Sequence, residues 1–155
     1  MGQRRRHERR SDCGMASMFD IDTTAIPPNR LYLQKARENY LCAKKAVEKG
    51  WHNAAVSRAY YAMFLAAVEY MDICGQRPVK PHLISGGWNK RELAEQVGKY
   101  SRRVPLESYL TGGKKLREIA DYETAILSAK QARQECLNAH EFLSFAVEKA
   151  INGRN

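Results

Sequence analysis

The middle of the chain is strongly basic. Between residues 77 and 117, ten lysines or arginines stand against three glutamates, which gives +7 of the formal net charge of +9. The basic residues are Arg77, Lys80, Lys90, Arg91, Lys99, Arg102, Arg103, Lys114, Lys115 and Arg117. Clustered cations attract polyanions by long-range steering and by release of counterions. The stretch therefore predicts RNA or DNA as a partner, with a solvated, solubilising face as the alternative.

One further arginine, Arg58, lies in an otherwise apolar segment. A buried cation needs a partner, and either Asp121 or Glu69 is a candidate carboxylate. We expect a structural salt bridge there or, as the alternative, a contact with an RNA phosphate. Tyr60 and Tyr61 follow, and adjacent side chains project about 100° apart on a helix. One of them should pack in the core, and we assign Tyr61 to the nucleic-acid-binding set.

Cysteine spacing and missing motifs exclude several classes of protein. The four cysteines are widely spaced without a CxxC pair, which argues against a zinc site and fits a reducing cytoplasm. The sequence contains no Walker loop, HExxH, GxGxxG after a strand, or GxSxG elbow, and no apolar run approaches the roughly 18 residues of a membrane span. We expect a cytoplasmic protein with no metal and no cofactor.

The apolar pattern predicts an all-α protein. Residues 1–27 lack helical periodicity and should form a flexible basic arm, whereas residues 28–155 should form one helical bundle. Apolar residues recur every three or four positions, as on one face of a helix. The predicted helices are approximately 29–50, 52–74, 89–101, 106–120 and 126–151, with a break or kink at Gly112 and Gly113 in the fourth. This pattern predicts an antiparallel bundle of four long helices plus a short one.

Two motifs carry a resemblance to a known family. The segment from Ala54 to Phe64 reads AAVSRAYYAMF, and the segment from Leu116 to Tyr122 reads LREIADY. Both resemble motifs of small stand-alone HEPN-domain proteins, the higher eukaryotes and prokaryotes nucleotide-binding domain, and the final helix also resembles the closing helix of that family. The resemblance covers roughly residues 30 to 150.

The resemblance implies a helical bundle, commonly a homodimer, in a family of RNA-binding proteins and metal-independent endoribonucleases. Many members are encoded beside a nucleotidyltransferase as a toxin and antitoxin pair. Catalytic members carry Arg, a polar residue, several spacers and then His. Here Arg117 fits the start of that motif, but Asp121 and Tyr122 stand where the histidine is expected.

The missing histidine affects the chemistry directly. Metal-free RNA cleavage needs a base for the 2′-hydroxyl and an acid for the leaving oxygen. Asp121 is a candidate base and Arg117 a candidate for stabilising the phosphorane, while Tyr122 is suited to stacking on a base. His82, in a Pro- and Gly-containing loop, is the one candidate for a replacement acid, although a loop histidine is usually solvated.

These observations leave two main hypotheses. The first is an RNA-directed or nucleotide-binding interaction module with a degenerate catalytic motif, using Arg58, Tyr61, Arg102, Arg103, Lys114, Lys115, Arg117 and Tyr122. The second is a metal-independent endoribonuclease toxin paired with a nucleotidyltransferase, using Arg117 with Asp121 or His82. A protein-interaction scaffold that binds through a face of the bundle, without using its charge, is a third option.

Overall fold

Five helices make up the described part of the chain. The computed structural model describes residues 25–76, 89–102 and 105–153, and within these ranges it contains no strand. The helices are α1 (Leu31–Lys49), α2 (His52–Ile73), α3 (Lys90–Ser101), α4 (Leu106–Tyr122) and α5 (Ala129–Asn152). The predicted all-helical fold of four long helices and one short helix is confirmed. None of the described helices is long and apolar enough to cross a membrane.

The second helix is the centre of the bundle. Fourteen of its 22 residues are buried, and it packs against all four other helices. Small side chains such as Ala59 and Ala66 are fully buried and permit close approach of the helix backbones. Larger side chains fill the remaining core, among them Tyr40 of α1 and Phe142 of α5, both 0% exposed. Burial of this apolar surface is the main force that holds the bundle together.

Short connections set the order of the helices. Gly50 ends α1 with φ 75°, the left-handed conformation that glycine adopts without strain, so α2 turns back antiparallel to α1. Helices α3 and α5 both begin with a capping box, formed by Asn89 with Glu92 and by Ser128 with Gln131. Only a few residues separate α3 from α4, so the start of α3 lies beside the end of α4.

The start of α1 is stabilised by side chains of α2, which lie far from it in the sequence. Its N-cap, Arg30, makes no side-chain cap hydrogen bond. Instead the Tyr32 amide donates to Glu69 Oε2 on α2 at 2.8 Å. The Arg30 guanidinium lies 2.8 Å from Asp72 and 3.4 Å from Glu69. A carboxylate of α2 thus satisfies an amide that a local cap would ordinarily satisfy.

Helix α4 runs through Gly112 and Gly113 without a break, so the break predicted there is wrong. Gly113 is buried, and a Cβ placed on it would lie 2.8 Å from Met63 Cε of α2. The missing side chain therefore lets α4 approach α2 closely, and this packing outweighs the low helix propensity of glycine. The helix also continues two residues beyond the predicted end at Ala120, so that Asp121 and Tyr122 belong to its last turn.

Candidate nucleic-acid interface

Three tyrosine rings surround the guanidinium of Arg117. The Arg117 Cζ atom lies 5.5 Å from the ring centre of Tyr60, 5.7 Å from that of Tyr61 and 5.6 Å from that of Tyr122. Cations at such distances are attracted by the negative faces of aromatic rings. Arg117 is only 6% exposed, whereas Tyr122 is 77% exposed. The arginine is therefore held in a fixed position, and one of the three rings around it, that of Tyr122, is open to solvent.

Helical spacing places Arg117 next to Asp121. The two residues are one turn apart on α4, and Arg117 Nη1 lies 3.6 Å from Asp121 Oδ2. The same carboxylate oxygen accepts a hydrogen bond from Ser57 Oγ of α2 at 3.2 Å. Arg117 Nη1 also donates to the Tyr61 hydroxyl at 3.5 Å. These contacts tie the end of α4 to α2 and orient the guanidinium.

Two lysines add positive charge around the same rings. Lys90, the first residue of α3, places Nζ 5.7 Å from the ring centre of Tyr60. Burial lowers the pKa of Lys90, and the nearby cations Arg117 and Lys114 lower it further, while Glu118 opposes them. Lys114 itself forms a weak ion pair with Glu118 at 3.8 Å. Three cations from two helices thus converge closely enough to repel one another, which favours the binding of an anion.

Burial governs the remaining ionisation states. It raises the pKa of the Tyr60 hydroxyl above its usual range, although Arg117 partly offsets that effect. For Arg117, burial alone lowers the pKa, but the hydrogen bond with Tyr122 and the neighbouring tyrosines outweigh it and raise the pKa. Near neutral pH the site therefore holds a neutral phenol at Tyr60 and a charged guanidinium at Arg117.

The predicted salt bridge of Arg58 is wrong. Arg58 is exposed on α2, where its guanidinium donates to Asn39 Oδ1 at 3.3 Å and lies 5.8 Å from the ring centre of Tyr61. Both proposed partners are engaged elsewhere, because Glu69 pairs with Arg30 and Asp121 with Arg117. The apolar neighbours of Arg58 in sequence face the core, while Arg58 itself faces outward. The tyrosines divide as expected by burial, with Tyr60 1% exposed and Tyr61 half-buried.

The structure brings together only part of the predicted site. Arg58, Tyr61, Lys114, Arg117, Asp121 and Tyr122 gather around the end of α4. Lys115 is exposed on α4, and Arg102 lies at the other end of the α3–α4 pair, beside Gly98 and Thr111. Arg103 and His82 lie outside the described residues. The two histidines in the described ranges contact other groups, His52 at the Leu127 carbonyl and His140 at the Tyr40 ring.

Sequence reasoning missed two residues that contact the groups around Arg117. Lys90 was one basic residue among ten, and only the return of α3 alongside α4 identifies it. Ser57 is 7% exposed and lies within a motif that was already recognised, so its position one residue before Arg58 was the available signal. We refer to Lys90, Lys114, Arg117, Asp121, Tyr61 and Tyr122 as the Arg117 cluster.

The chemistry of the Arg117 cluster suits an oxyanion and an aromatic base. Guanidinium and ammonium groups bind phosphate by charge-assisted hydrogen bonds. An exposed tyrosine ring offers a stacking surface for a nucleobase. Within the described ranges, no three His, Cys, Asp or Glu side chains are grouped to hold a metal ion.

Comparison with known families agrees with the sequence motifs. The family model described as HEPN domain matches residues 30–150, more than three quarters of the chain. A search of curated proteins finds no significant match. The matched range contains α1 to α4, all but the last two residues of α5 and the whole Arg117 cluster, and the chain therefore belongs to the HEPN domain family.

Proposed function

We propose that this HEPN domain is an RNA-binding module whose Arg117 cluster contacts the phosphate backbone. The observation that carries the proposal is the convergence of Lys90, Lys114 and Arg117, in which Lys90 has a pKa lowered by burial and by the other two cations. Like charges brought together in a folded protein cost free energy. A bound phosphate removes that repulsion, because each cation then faces an anion.

The aromatic residues favour a nucleic acid over a simple anion. Tyr122 is 77% exposed, and its ring is held 5.6 Å from the Arg117 guanidinium. A phosphate on Arg117 would lie within one nucleotide of a base stacked on Tyr122. Cations interleaved with stacking rings are typical of proteins that bind single-stranded nucleic acids.

The salt dependence of RNA affinity tests this proposal. We expect Lys114→Gln to weaken binding several-fold at low salt and to reduce the slope of log affinity against log salt by about 0.7, the effect of one phosphate contact. The matched control is Lys45→Gln, since Lys45 pairs with Glu48 on α1 outside the cluster. Filter binding of a labelled RNA across a salt series measures both quantities. Equal effects of the two variants, or no binding at low salt, would contradict the proposal.

Endoribonuclease activity is the second candidate, favoured by the position of Asp121. Its carboxylate lies 3.6 Å from Arg117, is exposed to solvent, and is oriented by Ser57 at 3.2 Å. Asp121 would take the proton of a 2′-hydroxyl, whose oxygen would attack the adjacent phosphorus. Arg117 would stabilise the charge on the phosphorane until the 5′-oxygen leaves, takes a proton from water and leaves a 2′,3′-cyclic phosphate on the other fragment.

Incubation of RNA with the purified protein in EDTA tests this candidate. If Asp121 is the base, we expect slow cleavage that Asp121→Asn and Arg117→Ala both reduce by at least about 100-fold, within the contribution of a general base. Lys45→Gln again serves as the control. RNA that stays intact with the wild-type protein rejects the nuclease while leaving the binding proposal in place.

Two partners belong to the same proposal. Family membership supports a homodimer and a nucleotidyltransferase antitoxin encoded beside this chain, as the HEPN resemblance implies. In a homodimer a second Arg117 cluster would extend the basic surface available to one RNA strand. Sedimentation of the purified protein tests whether it is a homodimer. Co-purification with a neighbouring nucleotidyltransferase tests whether that protein is its partner.

A further inference from the structure

Three exposed apolar side chains lie at one end of the bundle. Trp51 in the turn between α1 and α2 is 61% exposed, Tyr122 at the end of α4 is 77% exposed, and Ile126 before α5 is 84% exposed. We call these three residues the end platform. Apolar groups gathered at a protein surface commonly mark a contact with a partner. These three side chains do not fill the core of the bundle, so core packing does not explain why they are apolar.

The backbone beneath the end platform is held in place by hydrogen bonds. Asn53 Nδ2 donates to the carbonyls of Ala120 and Ala125 at 3.4 and 3.3 Å, and Asn53 Oδ1 accepts from the Leu127 amide at 2.9 Å. His52 Nδ1 lies 3.0 Å from the Leu127 carbonyl. The turn that carries Trp51 is therefore joined directly to the loop that carries Ile126 and to the end of α4. A backbone held in this way loses little conformational freedom when a ligand binds beside it.

Charge next to the end platform indicates which partner it fits. The Tyr122 ring belongs both to the end platform and to the Arg117 cluster. Arg58, exposed on α2 one turn after the Asn53 region, lies 5.8 Å from the centre of the Tyr61 ring. A partner that crosses this boundary meets apolar rings on one side and cations on the other. A nucleic-acid strand with flat bases and an anionic backbone has that composition.

We propose that the end platform binds unpaired nucleotides, so that the RNA recognised by this protein is single-stranded. The inference rests on the proposed RNA-binding function and specifies its substrate. Base faces are available for stacking only when the bases are unpaired, because a duplex stacks its bases on one another. A strand with one phosphate at the Arg117 cluster places one base on Tyr122 and another base on Trp51.

Fluorescence of Trp51 tests the proposal. The chain has two tryptophans, Trp51 and Trp88, so Trp88→Phe leaves Trp51 as the single emitter. A short oligoadenylate should quench Trp51 emission, whereas a duplex of the same length at the same salt should not. We expect Trp51→Ala and Tyr122→Ala each to weaken oligoadenylate binding about tenfold. Trp51→Phe, which keeps a stacking ring, should restore most of the affinity.

A matched control and two contrary outcomes make the result decisive. Tyr100→Ala is the control, because Tyr100 is a 44% exposed tyrosine on α3 beside Gln96 and Lys99, outside the end platform. RNA that binds without quenching Trp51 and without loss in Trp51→Ala overturns this inference and leaves the proposed function intact. A Trp51 emission that changes with protein concentration, but not with RNA, overturns it in favour of a contact between two copies of the chain. Absence of any RNA binding at low salt rejects both.

Discussion

Replacing Glu135 by glutamine is expected to stabilise the protein above neutral pH. Glu135 lies on α5, is 5% exposed, and its Oε2 atom has no hydrogen-bond partner within the described ranges. Burial raises the pKa of this carboxyl to about 7, although a hydrogen bond from Asn138 at 3.4 Å opposes the shift. The carboxylate lies beside Tyr60 and Met63 of α2 and Gly113 of α4, which supply no cation.

The sign of the effect follows from proton binding. The unfolded chain releases the Glu135 proton near pH 4.5, whereas the folded chain retains it up to about pH 7. The stabilising contribution of Glu135 is complete below the pKa of the carboxyl in the unfolded chain. It is lost as the pH rises through the higher pKa of the folded chain. The difference corresponds to about 3 kcal/mol in the free energy of unfolding. Glutamine keeps the shape of the side chain and does not ionise, so the variant should not suffer this loss.

Urea denaturation at about pH 4 and about pH 8 measures the Glu135 effect. The wild type and Glu135→Gln should be nearly equal at the lower pH, and the variant should be more stable by about 3 kcal/mol at the higher pH. Glu148→Gln, an exposed position on the same helix, should follow the wild type at both. Parallel profiles for the wild type and Glu135→Gln would contradict a buried, titrating carboxyl.

The two adjacent glycines of α4 should respond in opposite directions. A Cβ on Gly113 would lie 2.8 Å from Met63 Cε and 3.3 Å from Tyr60 Cδ2, and Met63 is fully buried. We therefore expect Gly113→Val to destabilise the fold by about 3 kcal/mol through overpacking. A Cβ on Gly112 meets no atom within 4 Å. Gly112→Ala should stabilise the protein by roughly 0.5–1 kcal/mol, because alanine favours the helix.

Urea denaturation of the two glycine variants against the wild type measures this difference. Because Tyr60 supports the Arg117 guanidinium, Gly113→Val should also weaken RNA binding, whereas Gly112→Ala should leave it unchanged. A Gly113→Val protein as stable as the wild type would show that α4 can move away from α2 at little cost.

Most of the fold was predictable because apolar periodicity reports which face of each helix is buried. The stripe from Leu33 to Tyr40 in α1 and the turn at Gly50 needed no knowledge of tertiary structure. The continuity of α4 was not predictable, because the low helix propensity of Gly112 and Gly113 is visible in the sequence and the close packing on Met63 is not. Propensity is a local property, and here a contact across helices outweighs it.

The candidate site was predictable only where its members share a helix or a motif. Arg117, Asp121 and Tyr122 lie within two turns of α4, so one segment of sequence brings them together. Lys90 reaches the same rings from α3, through a pairing of helices that sequence spacing does not report. Arg58 was assigned a buried partner because its neighbours are apolar, whereas its helical position turns it outward. Burial of a polar residue depends on its angle around the helix axis, which neighbouring residue types indicate poorly.

The carboxylate that caps α1 links the folding of two helices. Tyr32 donates its amide to Glu69, which lies 37 positions later in the chain, and no local side chain caps the same end. The first turn of α1 is therefore complete only after α2 has formed and docked against it. An isolated α1 segment would fray at this end. In the whole domain, the same end is as stable as the α1–α2 hairpin. One buried glutamate thus couples the stability of the first turn of α1 to the docking of α2.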